Sequence, residues 1–76
     1  MIMKEKVIEI LKEVLEDDNV NESTSKVNNP NWDSLRHLNL IVELESEFDY
    51  SFEPHEIAAI KSVNDILFFF QKNMYK

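Results

Sequence analysis

Three places in the chain hold residue types able to do chemistry. The first is Trp32-Asp33-Ser34-Leu35, where a serine directly follows an acid that suits a helix N-cap. A hydroxyl at the mouth of a helix is accessible, and the unpaired backbone N–H groups there favour an anion. A phosphodiester on Ser34 would be well placed, although a first-turn serine can also be no more than that. The second place is the pair His37 and His55, the only histidines of the chain. Their spacing suits no metal, no Cys is present, and no third group completes a triad with Ser34. His37 therefore reads as a helix-surface residue. The third is Asp17, Asn19 and Asn21, which imitate the start of a calcium loop. Glu22 stands where such a loop needs Gly, and Asn28 where it needs Glu, so the site is rejected. Asn21-Glu22-Ser23 is a formal glycosylation sequon with nothing beside it to suggest secretion.

Positioning Ser34 requires helices. Val7, Ile8, Leu11, Val14 and Leu15 recur at helical spacing and predict a first helix from about Lys4 to Leu15, with Ile10 off the stripe. A polar stretch of roughly 16 residues, Glu16 to Asn31, follows as a long loop. Val20 and Val27 are its only aliphatic side chains and are expected to pin it to the core. Asp33 caps a second helix, Ser34 to Phe48. Its inward face is expected to be Leu38, Ile41, Leu44 and Phe48, with Arg36, Asn39, Glu43 and Glu47 opposite. Leu35 and Val42 fall at one exposed margin and Leu40 at the other. After Asp49–Glu53, Pro54 opens a short third helix to about Ala59. Ser62 caps a fourth, with Asp65 near its start and Val63, Ile66, Leu67 and Phe70 inward. Phe68, Phe69 and Phe70 cannot all face one way, so Phe68 is expected outward, where it could mark a protein contact.

The fold class expected is all-α: a four-helix bundle of three longer helices and one short one, in a single domain spanning 1–76. The predicted core is Val7, Leu11, Val14, Leu38, Ile41, Leu44, Phe48, Ile60, Val63, Ile66 and Phe70. A hydrophobic fraction of 43% suits such a core, and the absence of Gly disfavours tight turns with positive φ. No run approaches the roughly 18 apolar residues of a membrane span. The mixed charges of Met1–Lys6 are not those of a signal peptide, so a cytoplasmic protein is expected. A net charge of -7 repels nucleic acid and anionic membranes, and it either attracts basic protein patches or simply confers solubility.

Along its second half the sequence resembles acyl and peptidyl carrier proteins. Asp33-Ser34-Leu35 is similar to their attachment motif. The helix DSLRHLNLIVELESEFD and the following YSFEPHEIAAIKSVNDI resemble the family's second, third and fourth helices, and the first helix and loop match in length and character. The resemblance implies that a phosphopantetheinyl transferase moves a 4'-phosphopantetheine arm from coenzyme A onto Ser34. The arm brings the thiol that this Cys-free chain lacks, and cargo is held as a thioester. Asp33 would help place Mg²⁺ and coenzyme A during loading. Leu35, Val42 and Ile57 would be apolar contacts for partners, and Glu43, Glu45 and Glu47 an acidic surface for basic patches. The implied partners are the transferase, a cargo-loading ligase or acyltransferase, and downstream acyl-processing enzymes, all meeting a monomer that is not itself an enzyme. Departures stand at Asn31, where many fatty-acid carriers have Gly, and at Arg36 and Asn39, where they often have acids. These favour a carrier of a specialised biosynthetic pathway, and the bulky Phe residues favour short or polar cargo. The alternative is an unmodified carrier-like interaction module with Ser34 as a simple cap.

Overall fold

The computed structural model describes residues 3–74, so Met1 and Ile2 of the segment read for a leader lie outside it. Its helices are α1 (Met3–Leu15), α2 (Ser34–Phe48), α3 (Pro54–Ala59) and α4 (Val63–Met74). Among the described residues the only β-pairing is one isolated bridge. The all-α, four-helix architecture is therefore as expected, with α1 packed on both α2 and α4.

The core is built from the apolar stripes of the helices. Val7, Leu11, Ile41, Leu44, Ile60, Val63, Ile66 and Phe70 are buried as expected. Phe48 is half-buried, with its ring 4.6 Å from that of Phe70. Two stripes are rotated from the expected positions. In α1, Ile10 is buried, whereas Val14 is half-buried. In α2 the inward face is His37, Leu40, Ile41 and Leu44, and Leu38 is 57% exposed. The reason is a polar anchor at His37 that outweighs the hydrophobicity of Leu38. Phe68 is exposed, as expected, with Lys72 Nζ 6.0 Å from its ring centre.

The long loop is held by hydrogen bonds. Val20 is buried, but Val27 is 95% exposed and pins nothing. The work expected of Val27 is done by the main chain. Lys26 N–H donates to the Lys61 carbonyl (2.8 Å) and Val63 N–H to that of Thr24 (3.1 Å), around the Ser25–Ser62 bridge. Side-chain amides tie the remainder: Asn28 Oδ1 accepts from Ser25 N–H, Asn29 donates to Asp17 Oδ2, and Asn31 donates to the Leu15 carbonyl. Asn and Ser thus supply the local turns that Gly would otherwise allow.

At the start of α4, Ser62 Oγ accepts from Asp65 N–H (3.1 Å) and Asp65 Oδ2 from Lys61 N–H (2.9 Å). Reciprocal bonds of this kind satisfy backbone donors that a helix start leaves open.

Candidate functional site: the N-terminal end of the second helix

Ser34 is the first residue of the 15-residue α2 and is exposed. Asp33 precedes it with extended backbone (φ -98°, ψ -175°), and its Oδ1 accepts from Arg36 N–H at 2.9 Å. His37 N–H donates to the Asp33 carbonyl, beginning the helical ladder (2.8 Å). With Arg36 N–H capped, the N–H groups of Ser34 and Leu35 remain at the open helix end. The Ser34 hydroxyl has no hydrogen-bond partner among the described residues. It is therefore an accessible alcohol beside unpaired backbone donors, an arrangement that fits a phosphodiester.

The ground beneath Ser34 is tied by side-chain hydrogen bonds. Trp32 and His37 are both buried, and Trp32 Nε1–H donates to His37 Nδ1 at 3.0 Å. That ring nitrogen consequently carries no hydrogen, so the other, Nε2–H, donates to the Ile57 carbonyl at 2.8 Å. The two rings lie 6.2 Å apart at 28°. Instead of the surface residue expected at position 37, the structure has a doubly bonded interior one. A lone His on a helix gives no sign of its partners in the sequence. The available signal was Trp32, whose indole N–H needs an acceptor when buried.

The other residues expected at the site divide into two groups. Leu35 (69% exposed) and Val42 (62%) lie on one open face, and Leu38 lies between them at helical spacing. Asn39 and Glu43 are exposed beside that stripe. Together with Val42 they line a groove of about 400 Å³, whose far wall is Glu13, Val14 and Glu16 of α1. The second group is engaged within the fold. Arg36 Nη1 donates to the Leu15 carbonyl (3.3 Å), and its Nη2 is 3.9 Å from Glu16, so its charge sits at the C-terminal end of α1. Glu45 Oε2 accepts from Phe52 N–H at 2.8 Å. Glu47 lies 3.5 Å from Lys6 in an exposed pair, and Ile57 is half-buried. Among the described residues no group of His, Cys, Asp or Glu is arranged to hold a metal ion. No helix is long and apolar enough to cross a membrane among those residues.

No family model matches the sequence. An acyl carrier protein of Coprothermobacter proteolyticus is 28% identical, with 95% of each chain covered. The solved holo acyl carrier protein of Geobacter metallireducens is 32% identical at a TM-score of 0.82, over 97% of this chain and 87% of that one. A solved Mycobacterium tuberculosis chain described as an acyl carrier protein is 30% identical at a TM-score of 0.79, over 87% of this chain and 90% of that one. Likeness in sequence and in fold over nearly the whole length leads to one conclusion: the chain belongs to the acyl carrier protein family.

Proposed function

We propose that Ser34 is the attachment point of a 4'-phosphopantetheine arm, and that residues 1–76 act as one carrier domain. As a member of its family the chain is a carrier and not an enzyme. The observation that carries the assignment is the exposed Ser34 hydroxyl, without a partner among the described residues, at the N-terminal end of α2. The arm, when bound, supplies a terminal thiol that holds an acyl or aminoacyl cargo as a thioester. The chain's own residues do the rest. Asp33 fixes the turn before Ser34 by holding Arg36 N–H, and it keeps a second carboxylate oxygen for the Mg²⁺ and coenzyme A of the loading reaction. Leu35, Leu38 and Val42 offer an apolar stripe to partner enzymes, with Asn39 and Glu43 at its side.

The pathway is proposed to be a specialised biosynthetic one. Arg36, placed where the family often carries an acid, is turned back onto α1 and leaves the ground beside Ser34 without that negative charge. The partners are a phosphopantetheinyl transferase, a ligase or acyltransferase that loads the cargo, and enzymes that process it. The setting is the cytoplasm.

The test is the intact mass after incubation with coenzyme A, Mg²⁺ and a broad-specificity transferase, with Ser34→Ala in parallel. One added phosphopantetheine on the parent and none on the variant is expected. No gain with several active transferases would leave Ser34 as a cap and the domain as an unmodified interaction module.

A further inference from the structure

Ser34 stands one turn above two side chains of opposite orientation. His37 is buried and Leu38 is exposed. An acyl chain tethered at Ser34 thus has two courses, outward over Leu35 and Leu38 or inward past His37. The inward course is barred by a bridge. Trp32 Nε1–H donates to His37 Nδ1 (3.0 Å), and His37 Nε2–H donates to the Ile57 carbonyl (2.8 Å). Ile57 lies near the end of the six-residue α3, where carbonyls lack intrahelical donors. Lys61 N–H, four residues on, is taken by Asp65 Oδ2. The His37 ring therefore fills a vacancy in α3 while it accepts the buried indole N–H. Within the core, Leu40, Ile60, Val63, Ile66 and Phe70 are fully buried. Tyr50 and Phe52 pack on Phe70 with ring centres 5.5 and 5.6 Å away.

Opening the bridge would leave an indole N–H and a backbone carbonyl without partners, at a cost that does not depend on the entering chain. The gain from burying the chain grows with each CH₂. A fixed cost against a growing gain makes a length threshold. We propose that His37 is a specificity-determining latch that sets this threshold, keeping short acyl groups outside the bundle and making the chain a carrier of short or polar acyl cargo. The proposal rests on attachment at Ser34.

The parent and a His37→Ala variant would be loaded by a broad-specificity transferase from acetyl-, butyryl-, hexanoyl- and octanoyl-coenzyme A. The thermal midpoint and the Trp32 indole N–H resonance would be followed across the series. The parent is expected to keep one midpoint and one resonance position throughout. The variant's midpoint should climb with each added pair of carbons. Should His37→Ala fail to fold, His37→Asn keeps an acceptor for Trp32 while losing the bond to Ile57, and it should climb likewise. A parent midpoint that rises from butyryl onward, with the indole resonance displaced, would overturn the latch. So would flat series in both proteins, because His37 would then not be the barrier. Absence of any mass gain on either protein would overturn attachment at Ser34, and the latch with it.

Discussion

Tyr50, just after α2, directs its hydroxyl to both carboxylate oxygens of the buried Glu56, at 3.3 and 3.4 Å. Burial, then the charge of Glu56 and the hydrogen bond to it, then Glu53, push the phenol above its ordinary value of 10.0. A raised folded value means stability that is present below about pH 10 and is lost as pH climbs through the folded value. The two bonds are long and only part-buried, so Tyr50→Phe should cost no more than about 0.5 kcal/mol at neutral pH. The gap between parent and variant should narrow in strongly alkaline buffer, as read from urea midpoints. A gap unchanged with pH would mean that the hydroxyl is not the titrating group. Other single residues show where sequence alone misleads. Leu38 outranks His37 in hydrophobicity, yet His37 is inside because Trp32 and Ile57 supply its partners. Trp32 is near in sequence and Ile57 lies twenty residues on, and neither pairing leaves a periodic trace. Ser34, Leu35 and Val42 were legible because exposure at a helix start or margin is a local matter.

At the scale of elements, the helix beginnings and the ends at Leu15, Phe48 and Ala59 were plain, whereas the backbone that closes the helices was hidden. Asp33, Pro54 and Ser62 announce α2, α3 and α4, since caps act within one turn. The chain lacks glycine, which pointed away from positive φ, yet Glu16 (φ 54°) and Asp49 (φ 52°) both adopt it. Each closes a helix. Glu16 N–H donates to the Glu13 carbonyl and Asp17 N–H to that of Lys12, while Tyr50 N–H donates to that of Glu45. These loops back satisfy the last carbonyls and compensate for the left-handed backbone. The conformation costs a residue with a Cβ about 1–2 kcal/mol, and glycine's freedom in the unfolded chain returns about half of that. Glu16→Gly should therefore stabilise the fold by about 0.5–1 kcal/mol, since its pairing with Arg36 is largely exposed and worth little. Asp49→Gly should gain less, because Asp tolerates this region better than Glu. Denaturant midpoints decide it, and a loss of stability in Glu16→Gly would show that the carboxylate matters more than the backbone.

For the molecule as a whole, the telling pairing is charge with an uncovered apolar stripe. The chain carries -7, and Glu13, Glu16 and Glu43 line the same groove as Val14 and Val42. Leu35, Leu38 and Val42 stay outside the core although three apolar side chains on one helix face would stabilise the fold if covered. In the proposed carrier role they would be left for a partner, and the acidic groove would favour a basic one. The two features act on different steps. Long-range charge speeds encounter and is screened by salt over about 10 Å at 0.1 M, whereas apolar contact holds the complex once formed. A phosphopantetheinyl transferase provides the readout for both. Raising salt should lower kcat/KM for loading of the parent, and Glu43→Gln should flatten that dependence. Leu38→Ala should raise KM roughly tenfold, the effect of about 1.4 kcal/mol of lost contact, with little change in thermal midpoint because the side chain is largely exposed. If Leu38→Ala left loading untouched, the stripe would not face the transferase. If it lowered the midpoint while KM held, Leu38 would belong to the fold after all.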